Sequence, residues 1–202
     1  MHKMPKRACL MLSIALGVLA PAAAQATVVG FDDLGPCCSP IPNGYAGLDW
    51  NNFYSIQDNE LPGSGYDNGT VSPHNTAFNW FANPASISSG TPFTFNSAYL
   101  TAAWNNGLSI KVDGLLGSSL LYTNTVVVDT TGPTLFNFNY SGVDTVLFTS
   151  FGGTNADLGG SGAHFAMDDM TIDAAAIPEP TVLTLYGIGL VGLRFAARRR
   201  QR

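Results

Sequence analysis

Apolar and polar residues alternate through most of the chain, which is the pattern of β-strands that bury one face. Leu108, Ile110 and Val112 alternate with polar residues, and the segment 136–140 repeats the pattern with aromatic side chains. Clusters of glycine, proline, asparagine and aspartate separate these segments. The alternation predicts about nine strands, at residues 27–32, 48–56, 76–81, 93–104, 108–112, 120–129, 136–140, 143–151 and 163–172.

No helical periodicity competes with the strands between residues 27 and 173. Short strands that are not interleaved with helices predict an all-β fold. We therefore expect residues 27–173 to form one domain, an antiparallel two-sheet sandwich of jelly-roll type. A signal-peptide helix would precede this domain, and a short hydrophobic helix would follow it.

The first 26 residues have a different pattern. Lys3, Lys6 and Arg7 precede an apolar run over residues 8–20, which is shorter than the roughly 18–20 residues that a bilayer requires. A small-x-small site follows, formed by Ala24 and Ala26. These features predict a secretory signal peptide that signal peptidase removes after Ala26.

Residues 174–202 read as a short alanine linker, a proline-rich motif, an apolar stretch over residues 182–193 and a terminal arginine cluster. As a helix, the apolar stretch would span about 18 Å, against roughly 30 Å of hydrocarbon. If Arg194 extends its charged group to the interface, a marginal transmembrane helix results. The arginine cluster would stay in the cytoplasm and leave the exported chain tethered to the inner membrane.

The order of Pro178, Glu179 and Pro180, a glycine-containing apolar helix and a final arginine cluster resembles the PEP-CTERM sorting signal. This type of tail is also known as the ice-binding protein C-terminal domain. The resemblance implies that exosortase, a membrane protease-transpeptidase of Gram-negative bacteria, recognises Pro178, Glu179 and Pro180. It also implies a transient membrane tether and delivery to the cell surface or extracellular polymer. A permanent tail anchor is the alternative.

Charge is distributed unevenly along the chain. Residues 27–173 contain every acidic residue except Glu179 but a single basic residue, Lys111, and their formal net charge is −12. This charge argues against nucleic acid as a partner, because almost nothing would neutralise phosphates. His74 and His164 lie in no nucleophile or zinc motif, so we expect no enzyme. A secreted hydrolase that uses two carboxylates is a remote alternative.

Two pairs of aspartates lie near the ends of the predicted sandwich. Asp32 and Asp33 end the first strand, whereas Asp168 and Asp169 lie in the last strand. If the terminal strands pair, these four carboxylates come together and offer the oxygen ligands that Ca²⁺ prefers. The alternative is that all four are solvated acids at strand ends.

Three tryptophans and fifteen asparagines in residues 27–173 suit carbohydrate recognition, which combines aromatic faces with amide hydrogen bonds. Trp50 and Trp104 each lie beside asparagines and are the candidate glycan-binding residues. The segment 41–50, together with residues 165–170, is broadly similar to secreted carbohydrate-binding modules of the sandwich type. In the alternative interpretation, the tryptophans are core residues and the asparagines form turns.

Adjacent cysteines Cys37 and Cys38 are candidates for a vicinal disulfide after export, although they could also link chains or remain thiols. Taken together, the sequence predicts an exported PEP-CTERM protein with a non-catalytic structural role at the cell surface. The alternative is a carbohydrate-binding module that Ca²⁺ stabilises and that binds exopolysaccharide.

Overall fold

The computed structural model describes residues 26–173, and almost all of its regular structure is antiparallel β-strand. The expected all-β antiparallel sandwich is confirmed. One helical turn, α1 (Gly65–Asn68), and three short 3-10 turns, Tyr45–Gly47, Asp58–Glu60 and Trp80–Ala82, connect strands. The strands are β1 (Thr27–Val29), β2 (Ser39–Pro40), β3 (Asp49–Asn51), β4 (Phe53–Gln57), β5 (Asn75–Asn79), β6 (Ala85–Ala102), β7 (Asn105–Leu116), β8 (Ser119–Val128), β9 (Thr134–Asn155) and β10 (Phe165–Ile172).

All ten strands belong to one hydrogen-bonded network that folds into two layers. The first layer has the order β2-β4-β5-β10-β6-β9, with β1 also paired to β10, and it uses the second half of β6 and the first half of β9. The second layer has the order β3-β6-β9-β7-β8 and uses the other halves of the two long strands. Strands β6 and β9 therefore pass from one layer into the other.

Irregularities in β6 and β9 allow this passage. Their pairing shifts register between Ser88 and Ser97, and on β9 Asn139 and Gly142 have φ angles of 53° and 71°. Such bulges bend a strand and increase its twist. The sequence prediction of two separate strands, at 136–140 and 143–151, was therefore wrong, because the chain continues through the bend as one strand.

Several further strand boundaries differ from the prediction, and two of them lie at Asn52 and Asn79. The predicted strand 48–56 divides into β3 and β4 at Asn52, whose φ is 58° and whose side-chain NH₂ donates to the carbonyl of Trp80 at 3.0 Å. The predicted strand 76–81 ends at Asn79, because Phe81 and Ala82 adopt left-handed backbone conformations. Asparagine tolerates this conformation better than phenylalanine or alanine does.

Aromatic side chains fill the space between the layers. Phe148 of the second layer lies 5.6 Å from Phe53 and 5.9 Å from Phe165, both in the first layer, measured between ring centroids. All three rings are at most 1% exposed. Because burial of one such side chain contributes about 1.5–3 kcal/mol, this group of three rings is a major link between the layers.

A second apolar cluster lies on the outer face of β4, β5 and β10. Tyr66 of α1 packs edge-on against Phe78 and Trp104, at centroid distances of 5.2 and 5.5 Å. Helix α1 approaches the sheet so closely that the N–H of Gly65 donates to the carbonyl of Ala103 at 2.9 Å. The loop that carries α1 therefore covers this part of the sheet.

The ends of the described chain are adjacent, because Thr27 of β1 pairs with Ile172 of β10. Ala26 is exposed, whereas Ala24 and the motif Pro178, Glu179 and Pro180 lie outside the described residues. The predicted signal peptide and sorting tail lie outside them too. Across residues 26–173, every helix is too short to cross a membrane.

Candidate ligand-binding surface

The terminal strands pair as expected, but their carboxylates have different surroundings. Asp168 is completely buried, and its carboxylate accepts N–H groups from Val71 at 2.7 Å, Ser72 at 3.0 Å and Asp169 at 2.7 Å. Burial raises the pKa of Asp168 to about 6, although the backbone N–H donors partly oppose this increase. Asp168 therefore anchors the loop before β5 to the last strand.

The other three aspartates do not join Asp168 in one ligand set. Asp33 accepts the Tyr45 hydroxyl at 2.7 Å, and Asp32 accepts the N–H of Asn75 at 3.3 Å. Of the four aspartates, only Asp32 and Asp169 approach the same point. One carboxylate oxygen of each lies within 3.4 Å of the position that a Cβ atom on Gly30 would occupy.

Between residues 26 and 173, no group of three or more His, Cys, Asp or Glu side chains is arranged to hold a metal ion. The expectation that the four carboxylates of Asp32, Asp33, Asp168 and Asp169 converge is therefore corrected. The physical reason is that Asp168 and Asp33 are already occupied by protein donors. Calcium binding itself stays a prediction, which calorimetric titration with CaCl₂ would test.

An open groove of about 560 Å³ lies beside these acids, and residues 28–33 and 44–46 line it. Burial, together with the hydrogen bond to Asp33, raises the pKa of Tyr45, so its hydroxyl stays protonated at neutral pH. Two aspartates and a neutral phenol make the groove acidic.

Trp50 and Trp104, the predicted glycan-binding residues, both lie in the interior. Trp50 is 6% exposed, packs edge-on against Phe31 and Phe53, and donates its indole N–H to the carbonyl of Tyr45 at 2.9 Å. Trp104 is 8% exposed and belongs to the cluster beneath α1. Neither ring presents a face to solvent on which a sugar could stack, so the prediction for these two residues is corrected.

A different set of aromatic side chains reaches the surface. Tyr54 of β4 and Trp80 stack with their ring centroids 4.4 Å apart and their planes within 17°. Phe81 packs edge-on against Trp80 at 4.9 Å and is 72% exposed. We call Tyr54, Trp80 and Phe81 the aromatic surface.

The backbone around the aromatic surface is held in an unusual conformation. Phe81 and Ala82 have φ angles of 54° and 56°, and left-handed geometry costs roughly 1–2 kcal/mol for a residue with a side chain. The N–H of Trp80 donates to the carbonyl of Asn52 at 3.0 Å, and the side chain of Asn52 returns a bond to the carbonyl of Trp80. Tertiary hydrogen bonds thus stabilise a turn that exposes phenylalanine. Strained backbone conformations of this kind cluster at functional sites.

Polar groups lie next to this turn. Asn79 is fully buried, and its side-chain oxygen accepts the N–H of Phe165 at 2.9 Å. Nδ1 of His164 lies 3.1 Å from the carbonyl of Asn79, and burial lowers the pKa of His164, which favours the neutral imidazole. The surroundings of the aromatic surface are therefore polar without being cationic.

Cys37 and Cys38 form a vicinal disulfide, and Cys37, like Tyr54 and Trp80, packs against the apolar cluster on the outer face of the first layer. The disulfide and the aromatic surface therefore share one apolar cluster as their base. Sequence reasoning did not select this surface, although the turn-forming string from Asn79 to Pro84, with two aromatic residues inside it, was the available signal.

No family model and no curated protein matches the sequence. Among solved structures, the K1 cleaved adhesin domain of Lys-gingipain from Porphyromonas gingivalis W83 is similar over 75% of this chain and 99% of its own, at 10% identity and a TM-score of 0.44. CBM51 from Clostridium perfringens GH95, in complex with methyl-galactose, is similar over 72% and 99% of the two chains, at 14% identity and a TM-score of 0.35. Both similarities are distant.

Proposed function

We propose that this protein is a non-catalytic, exported module that binds polysaccharide through the aromatic surface at the cell surface or in the extracellular polymer. The main observation in support of this proposal is that the side chain of Phe81 is 72% exposed. An exposed phenylalanine on a strained turn is unfavourable for stability alone, and it suits a surface that is covered when a ligand binds.

The aromatic surface offers what the apolar face of a sugar ring requires. Trp80 is only partly buried, and Tyr54 stacks against it and holds its orientation. Asn83, at the end of the same turn, is exposed and adds a hydrogen-bonding amide. Aromatic side chains with a few polar groups beside them are typical of small-molecule and glycan sites.

The charge of the domain favours a neutral polysaccharide. Between positions 27 and 173 the chain has thirteen acidic residues and a single Lys or Arg, which is Lys111. A polymer rich in uronate or sulfate would be repelled by the negative charge of the domain as a whole. We therefore expect hexose polymers without charged groups to bind best, and we expect added salt to change their affinity little.

The delivery route is part of the same proposal. Its support is the tail at residues 177–202, with Pro178, Glu179 and Pro180 in the order that resembles a PEP-CTERM signal. Signal peptidase and exosortase would act on the chain in transit. An intact mass of the extracellular protein tests this route, and retention of the last 20-odd residues would contradict it.

Binding is tested with neutral exopolysaccharide from the producing cell, or a glycan array, and the variants Phe81→Ala and Phe151→Ala. Phe151 is also an exposed phenylalanine, at 49%, but it lies on β9 and serves as a matched control. Loss of one stacking contact should lower affinity roughly tenfold, which is about 1.4 kcal/mol. Equal effects of the two substitutions, or no effect of Phe81→Ala, would contradict the assignment of the aromatic surface.

If the unmodified protein binds no glycan at all, the structural role remains. In that case the sandwich would serve as an acidic component of the surface layer, and its aromatic surface would have no carbohydrate partner.

A further inference from the structure

Strand β8 is an open edge of the second layer. It pairs with β7 on one side, and no strand among residues 26–173 lies on its other side. Alternate residues of an antiparallel edge strand direct their backbone N–H and C=O groups away from the sheet. Over the ten residues from Ser119 to Val128, this edge is a template for pairing with another strand.

Two of the other edges of the described sandwich are short or blocked, and a third, the first half of β9 at residues 134–140, is open but shorter than β8. β2 has only two residues, and one of them is Pro40, which has no N–H to donate. β3 has three residues and carries the exposed Asp49. β8 has neither proline nor a charged side chain, so it lacks the usual features that prevent edge-to-edge pairing.

The absence of charge on β8 is notable in a domain whose net charge is −12. Over most of the domain's surface, two copies that approach each other bring carboxylates together, whereas two β8 edges bring no charged side chains together. Three of the exposed large apolar residues of the domain lie on this strand, and they are Leu120 at 56%, Leu121 at 46% and Val127 at 59%. The longest open edge among the described residues is therefore uncharged and apolar.

The sequence of β8 is nearly symmetric about Asn124, because threonines flank it on both sides and apolar residues stand two and three positions away. We propose that β8 pairs antiparallel with β8 of a second copy of this chain, around a two-fold axis at Asn124. The two second layers then form one continuous sheet. In such a symmetric interface, each contact occurs twice.

This register places compatible side chains opposite each other. Thr123 faces Thr125 of the other copy, and Tyr122 faces Val126. Pairs of threonines and pairs of an aromatic with a β-branched residue are favourable across antiparallel strands. The bulge in the β7–β8 pairing lies near Leu121 and limits the regular segment on that side.

One strand pair buries less surface than the roughly 1,200–2,000 Å² of a typical stable interface. The dimer is therefore reversible, and its population rises with protein concentration. Salt strengthens it, because screening reduces the repulsion between two acidic domains. Sedimentation velocity or light scattering, over a concentration series at low and high salt, should show the average mass rise toward twice that of one chain.

Substitution of Asn124 provides the decisive test, because this residue faces its own copy. Asn124→Glu places two carboxylates opposite each other and should hold the protein as a monomer. Asn124→Lys should do the same with two ammonium groups. An equimolar mixture of the two variants should form a heterodimer, because the opposite charges now meet.

The control variant is Asn137→Glu, an exposed asparagine on the first half of β9, which pairs with β6 on one side and is itself an open edge of the first layer. It should dimerise like the unmodified protein, and all variants should keep their melting temperature within a few degrees. A monomeric unmodified protein at every concentration and salt would overturn the proposal. So would dimers of Asn124→Glu alone, or a mixture of the two variants that fails to associate.

Discussion

Asp168 makes a strong prediction about the pH dependence of stability. Its carboxyl is fully buried, no cationic side chain between residues 26 and 173 forms an ion pair with it, and burial raises its pKa from 3.8 to about 6 in the folded protein. Between these two values the folded chain keeps a proton that the unfolded chain has released. Acidification from neutral pH therefore stabilises the fold, and the contribution is lost as pH rises through 6.

The magnitude follows from the two pKa values. A shift of about two units corresponds to roughly 3 kcal/mol in the free energy of unfolding between strongly acidic and neutral pH. Between pH 7 and pH 5 the gain is about 1 kcal/mol, which is roughly 2–4 °C in the melting temperature of a domain of this size.

The assay compares melting temperatures of the unmodified protein and Asp168→Asn between pH 5 and pH 7, with EDTA present throughout. Asparagine turns an NH₂ group toward backbone N–H donors, so the variant is less stable by an offset that does not depend on pH. The variant should also lose the stabilisation on acidification. Glu60→Gln, at an exposed carboxyl, is the control and should retain it. A difference between Asp168→Asn and the unmodified protein that stays constant over this range would refute the reasoning.

Four further predictions concern packing and covalent state. Phe148→Ala empties the contact between the layers and should lower the free energy of unfolding by about 3–5 kcal/mol in chemical denaturation; a loss below 1 kcal/mol would contradict the central position of this ring. Gly65→Ala drives a methyl group into the backbone of β6 and should prevent α1 from docking, which near-ultraviolet circular dichroism would detect. Asn79→Ala leaves a buried backbone N–H of β10 without its acceptor and should cost about 1–3 kcal/mol, measured beside an alanine substitution of an exposed asparagine. Mass spectrometry of the exported protein should show Cys37 and Cys38 oxidised, so that reduction adds two hydrogens; an unchanged mass would contradict the disulfide.

Much of the fold was predictable because strand formation depends on a short period in the sequence. The alternation at residues 108–112 lies within β7, and the alternation at 120–129 locates β8 almost to the residue. The serine-rich first half of β6 was missed, because it has few apolar residues and forms a strand through its neighbours β3 and β9. The bend in β9 was mistaken for a loop, because glycine and asparagine are common in both.

The candidate site was less predictable, because the sidedness of a residue depends on what covers it. Trp50, Trp80 and Trp104 have similar polar neighbours in the sequence, yet only Trp80 lies at the surface with an exposed aromatic beside it. Asp168 and Asp169 are adjacent, but only the first is completely buried, since the loop at residues 71–72 closes over it.

Local composition and periodicity were thus sufficient for the strand content, the charge of the domain and the sorting motifs that stay predictions at its two ends. The pairing of distant strands decided which aromatic rings are buried, which carboxylate loses its solvent and which edge stays open. Those properties arise from contacts between segments far apart in the chain, and short-range patterns contain no information about which segment will cover which face.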